Sequence, residues 1–146
     1  MTPSPGNLAP TLLSPRLRAL MLATDLGFLL YWAITLAHAI PAEWLFKDYQ
    51  NPILQSWNWS FLPLDGLVSA SGLAAVLLAR RGHPTARPAA LISLTLTSCS
   101  GLMAVAFWAL RRDFDPAWWA PNLFLLLYPL AFLPGLVGRH PSSLTT

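Results

Sequence analysis

Four apolar stretches, each about as long as one bilayer crossing, dominate this chain and leave few folds open to it. They run over 17–40, 61–79, 89–110 and 117–137, roughly 19 to 24 residues apiece. Pro41 closes the first, Arg80-Arg81-Gly82 the second, Arg111-Arg112 the third, and Gly138-Arg139 the fourth. In hydrocarbon a segment must satisfy its own backbone, so runs of this length read as helices. Period-2 alternation is absent, which argues against a membrane barrel. The expected fold class is all-α: a four-transmembrane-helix bundle with an amphipathic outer loop between helices 1 and 2.

Composition agrees. Charged residues make up 10% of the chain, against about 25% in soluble domains, and the mean hydropathy is +0.51. So few charges cannot clothe a water-soluble surface. The formal charge of +3 comes from small basic groups between apolar runs, not from a basic face, which excludes a nucleic-acid partner. The lone Cys99 excludes an internal disulfide and a multi-cysteine metal site, and reads as a small buried packing residue.

Of the 146 residues, 1–14 read as a disordered, proline-rich tail, 15–139 as one membrane domain, and 140–146 as a C-terminal tail. Ser14-Pro15 reads as an N-cap followed by proline at the first helical position. Arg16, Arg18, Arg80, Arg81, Arg87 and Arg139 fall on one side of the membrane, and Lys47, Arg111 and Arg112 on the other. That bias places both termini in the cytoplasm and the 41–60 and 111–116 loops outside, in a cell inner (plasma) membrane. Ala37-His38-Ala39 has the form of a cleavage site, but the preceding segment is too long for a signal peptide and carries Asp25, so it reads as a retained first span.

The blocks TDLGFLLYW, IPAEWLFKDYQNPILQSWNWSFLPLD, ALISLTLTSCSGLMAVAFWALRRDFD and WWAPNLFLLLYPL resemble the YvaD-like family of small bacterial membrane proteins. The resemblance runs from about Leu20 to Leu136. It implies four spans, a bacterial inner membrane and no known biochemical function, and it supplies no catalytic residues.

Rise per residue assigns each polar group a depth. Asp25 is an intramembrane acid, expected about 10 Å above the inner boundary, level with Ser71, Thr95 and Tyr128. On a helical wheel it shares a stripe with Phe28, Leu29, Trp32 and Leu36. It reads either as a proton- or ligand-binding carboxylate or as a buried acid tied to neighbouring hydroxyls. His38, Glu43, Asp65, Asn122, Trp57 and Asn58 fall near the outer boundary. This separates Asp25 from Asp65 by most of the membrane.

The stretch WNWSFLPLD, Trp57 to Asp65, has two readings. In one it starts a helix: Ser60 is the N-cap, Pro63 lies in the first turn, Asp65 complements the helix dipole and the tryptophans anchor at the interface. In the other, Asp65, Asn58, Trp57, Glu43 and His38 form the mouth of an outward-facing ligand site. The 41–60 loop is amphipathic and would lie on the interface or fold over the spans, with Glu43 and Lys47 spaced for an i,i+4 ion pair. His38 lacks a metal partner four residues on, where Ala42 stands, so no metal site is expected. Asp115-Pro116 reads as the start of the last helix. Ser93, Thr95, Thr97, Ser98, Ser100 and Gly101 read as a packing face.

No nucleophile–base pair, phosphate loop or Cys/His cluster appears, so the residues name neither an enzyme activity nor a cofactor. The reading is an integral membrane protein of unknown biochemical function, whose partners are the lipid bilayer and a lipid-like or amphipathic small molecule. Two alternatives stand beside it. One is a proton-coupled transporter subunit using Asp25, which would need a homodimer or membrane partner to complete a pathway. The other is a structural or accessory subunit.

Overall fold

A computed structural model describes residues 12–138. The expected tails therefore lie outside the described residues, except for residues 12–14. There Leu13 is packed into the core at 2% exposure, so the ordered structure begins before the first span.

Helix α1 (Pro15–Leu36) starts as expected, with Ser14 Oγ accepting the Leu17 N–H at 3.2 Å. A short 3-10 turn follows at Ala42–Trp44, then α2 (Pro52–Trp59), α3 (Phe61–Arg80), α4 (Ala86–Leu110) and α5 (Pro116–Val137). Among the described residues there are no strands. Four helical runs among the described residues are long and apolar enough to cross a membrane, and the second is α2 and α3 together, Pro52–Arg80. The protein is a multi-pass membrane protein.

The second span does not start at Ser60. Ser60 has helical dihedrals, and its hydroxyl donates back to Trp57 O at 2.6 Å. The start lies at Asn51-Pro52, where Asn51 Oδ1 accepts the Ile53 N–H at 3.0 Å. Asp115 caps α5 as expected, accepting the Ala117 N–H at 3.0 Å. At the far end of α5, Arg87 Nη2 donates to the Gly135 and Leu136 carbonyls, both at 3.1 Å, where a helix leaves acceptors unfilled.

Three helices end in the same motif. Beyond α1, α3 and α4 stand His38, Gly82 and Arg112, with φ of 49°, 68° and 55°. Each donates its N–H to a carbonyl three residues back, and the next residue donates to one five back: His38 to Thr35 and Ala39 to Ile34, for instance, at 3.2 and 3.1 Å. This is the Schellman arrangement, normally built on glycine. It gives His38 its place in the chain: it terminates α1.

The helices pack in the order α1, α3, α4, α5. Serine hydroxyls bond neighbouring backbones at each junction. Ser69 donates to Asp25 O at 3.2 Å, Ser93 to Val68 O at 3.3 Å, and Ser98 to Leu126 O at 3.1 Å. Glycine permits the closest approaches. A Cβ at Gly72 would strike the Asp25 carboxyl, and one at Gly101 would lie 2.5 Å from Leu126 N and 2.6 Å from Asn122 O. The expected packing face on α4 is present, but Thr95 and Cys99 point outward. Large apolar side chains such as Leu30, Leu67, Ile92 and Leu102 cover the exterior. The buried apolar cluster of Leu13, Leu17, Met21, Ala75, Val76, Ala90 and Leu94, with Tyr128, fills the end nearest the described termini.

Gly101→Ala should lower the melting temperature of the purified protein, with a loss of about 1–3 kcal/mol, because backbone must move. Gly66, with nothing within 4 Å of a built Cβ, is the internal control: Gly66→Ala should hold or raise stability, since alanine favours helix. Equal behaviour of the two variants in a thermal melt would contradict the close crossing of α4 and α5.

Candidate functional site

At the other end of the spans, the helices part around a cavity of about 280 Å³. Its wall is assembled from every helix. Phe28, Tyr31 and Trp32 come from α1, Phe61 and Asp65 from α3, Ser100 and Trp108 from α4, and Trp118 and Asn122 from α5. The segment between α1 and α3 folds over as a cover, contributing Phe46, Lys47, Leu54, Trp57 and Asn58. Phe46 and Leu54 are buried, so the amphipathic loop spends its apolar face on the protein. Trp57 fixes the cover: it stacks on Phe107 at 4.0 Å and meets Phe61 and Trp108 edge-on at 4.9 and 5.8 Å.

Asp65 lies in the wall at 4% exposure. Trp32 Nε1 donates to its Oδ2 at 3.0 Å and Ser100 Oγ to its Oδ1 at 3.1 Å. The carboxyl thus ties α1, α3 and α4 together, and the helix-start role does not hold. Next to it, Tyr31 OH donates to Asn58 Oδ1 at 3.1 Å, while Asn58 Nδ2 is buried without a hydrogen-bond partner. Buried donors are normally paired, so this one marks a place where a further acceptor fits.

Ion pairs hold the cover from outside. Lys47 Nζ lies 2.7 Å from Asp113 and 3.6 Å from Asp115, and Arg111 lies 3.0 Å from Asp48. The expected Glu43–Lys47 pair does not form, because the helical turn stops at Trp44; Glu43 instead accepts from Tyr49 OH at 3.2 Å. The hydrogen bond to Asp113 raises the Lys47 pKa, and the same bond lowers that of Asp113. The pair's contribution is present above the ordinary aspartate pKa and is lost as pH falls through the lowered Asp113 value. Both groups are solvated, so the effect is small.

Of the five residues expected at a ligand mouth, the structure brings Asp65, Asn58 and Trp57 to the cavity; Glu43 and His38 are exposed and lie outside it. Asn122 joins the wall. Trp32, Tyr31, Ser100 and Trp108 were not singled out for it by sequence, although Trp32 belongs to the Asp25 stripe. That stripe is itself displaced: Trp32 is buried and Phe28 half-buried, but Leu29 and Leu36 face outward.

Asp25 forms a separate centre. It is 1% exposed, its Oδ2 has no hydrogen-bond partner, and it rests against Gly72. Ser69 donates to its backbone carbonyl, and Tyr128, which also meets Thr24 and Thr97, lies near its carboxyl. Of the expected inner layer only Tyr128 is present. Ser71 bonds its own helix at Leu67 O, 2.7 Å away, and Thr95 faces out. Asp25 and Asp65 are not separated by most of the membrane. Asp65 bonds Trp32, seven residues or about 10 Å along α1 from Asp25, because the second span begins at Pro52, well before Asp65. Among the described residues, no group of three His, Cys, Asp or Glu side chains could hold a metal.

A family model described as "Family of unknown function (DUF5360)" matches residues 17–143. The chain is similar to the uncharacterized protein YvaD of Bacillus subtilis, 46% identical over 117 residues that cover 80% of this chain and 88% of the relative. No solved structure matches.

The two acids should respond differently to neutralisation. Asp65→Ala strands the Trp32 and Ser100 donors and should cost about 1–3 kcal/mol. Asp25→Asn removes an unpartnered buried carboxylate oxygen and should leave the melting temperature unchanged or higher. A loss for Asp25→Asn as large as that for Asp65→Ala would show that the two carboxyls are held alike.

Proposed function

The chain belongs to the family of unknown function DUF5360, and from that premise we propose that it binds an amphipathic or lipid-like small molecule in the cavity beneath the 41–60 segment. The observation that carries this reading is the unpartnered Asn58 Nδ2 in a wall rich in aromatic rings. A packing core fills such space, whereas a binding site keeps it and sets a few polar groups in it. The volume lies near the lower limit of small-molecule sites, roughly 300–1,000 Å³, so the occupant is small or inserts only one end. The hydroxyl–carboxylate pair in the wall, Ser100 with Asp65, also carries the Trp32 bond and joins three helices, and we read its role as binding.

The same reading places the protein in a bacterial inner membrane with both termini cytoplasmic and the cavity facing outward. Its support is the charge pattern. At the end carrying Arg16, Arg18, Arg80, Arg81 and Arg87 no carboxylate stands in the sequence. At the cavity end, Lys47 and Arg111 are paired with acids. An excess of Lys and Arg marks the cytoplasmic face.

Ala104 lines the cavity and is 4% exposed, so Ala104→Phe should fill it. Native mass spectra of protein released from nanodiscs should carry a small-molecule adduct in the wild type that this variant lacks. A wild type without adduct, or one retained unchanged by Ala104→Phe, would sink the reading.

A further inference from the structure

The chemistry of the wall narrows the ligand class. Building on the binding role above, we propose that the cavity takes an organic ammonium ion, an amphipathic amine or quaternary ammonium whose positive charge lies against Asp65 and the surrounding tryptophan rings.

Among the described residues Asp65 is the single carboxylate lining the cavity, and its partners, the Trp32 indole and the Ser100 hydroxyl, are both neutral. A carboxylate oxygen offers more than one lone-pair direction, so these two bonds leave acceptor capacity. The one basic residue of the lining among the described residues, Lys47, is held by Asp113 and Asp115 at the mouth. An acid buried within a membrane span is stable when a counter-charge meets it, and here the counter-charge is left for the ligand to bring.

The rings favour the same sign. Tyr31, Trp32, Trp57, Trp108 and Trp118 line the space, and the faces of aromatic rings attract cations, quaternary ammonium groups above all. Trp108 already takes part in such contacts, with Lys47 Nζ and the Arg111 guanidinium each 5.8 Å from its ring centre. At the mouth, Lys47 and Arg111 are each paired with an aspartate, which offsets their repulsion of an incoming cation. An anion would meet Asp65, and a pure hydrocarbon would leave Asn58 Nδ2 unfilled. An ammonium compound with an ether, hydroxyl or ester oxygen satisfies both.

The test compares phenyltrimethylammonium with its neutral isostere tert-butylbenzene, titrated into the full chain in phosphatidylglycerol nanodiscs and read by calorimetry and tryptophan emission. Saturable binding of the cation at least about ten-fold tighter than the isostere is expected. Asp65→Asn should remove that preference, and Glu43→Gln, altered at an exposed site outside the cavity, should keep it. Equal affinity of the two probes for the wild type overturns the proposal and leaves the binding role standing. Binding of neither removes both, and because this comparison needs no variant it decides even if Asp65→Asn fails to fold. Repeating the titration in phosphatidylcholine discs distinguishes the source of the ammonium. A weakened apparent affinity assigns it to a lipid headgroup, an unchanged one to a free organic cation, and either supports the chemistry.

Discussion

Helices in lipid gain little by hiding apolar surface from one another, because the tails around them are as apolar as leucine. What holds this protein together is therefore close backbone approach, with the hydrogen bonds that such approach permits. Each of the three junctions carries a serine hydroxyl that reaches a carbonyl of the neighbouring helix: Ser69 to Asp25, Ser93 to Val68, Ser98 to Leu126. Two of them are also set by glycine, Gly72 beneath Asp25 and Gly101 against the backbone of α5. The cavity depends on these contacts. With α1 held to α3 and α5 held to α4, the ends of α1 and α5 that carry Trp32 and Trp118 are left apart, and the 41–60 segment closes the space over them.

The same logic sorts the two acids. Asp65 receives donors from two other helices and acts as a joint whose carboxyl also faces the cavity. Asp25 contributes its backbone carbonyl to the α1–α3 junction while its side chain rests on a glycine, with one oxygen unpartnered. Burial alone would rank them together. Their hydrogen-bond partners separate them.

The local features of the fold were legible in the sequence. Ser14-Pro15 and Asp115-Pro116 announced their helices because a cap and a proline act within one turn. Asn51-Pro52 has the same form, and reading it would have moved the start of the second span and with it the depth of Asp65. His38 could not be recognised as a helix terminator by type, because a left-handed residue beyond a helix is usually glycine. The pairing of Trp32 with Asp65 and Ser100 depends on how far three helices slide past one another, and apolar spans carry little periodic signal to fix that register. The helical wheel placed Trp32 correctly but misplaced Leu29 and Leu36, since in lipid the outward face is as apolar as the inward one.

The joining of α2 to α3 reaches beyond the helices themselves. Laid end to end, the 29 residues of Pro52–Arg80 measure about 43 Å, against about 30 Å of hydrocarbon. The surplus is close to the length of α2, so this run is longer than one straight crossing needs by about the segment that covers the cavity. Membranes of different thickness are accommodated by tilting or bending a span that is too long. In this protein such a tilt would carry Leu54, Trp57 and Asn58 with it, linking the shape of the cavity mouth to the thickness of the bilayer around it.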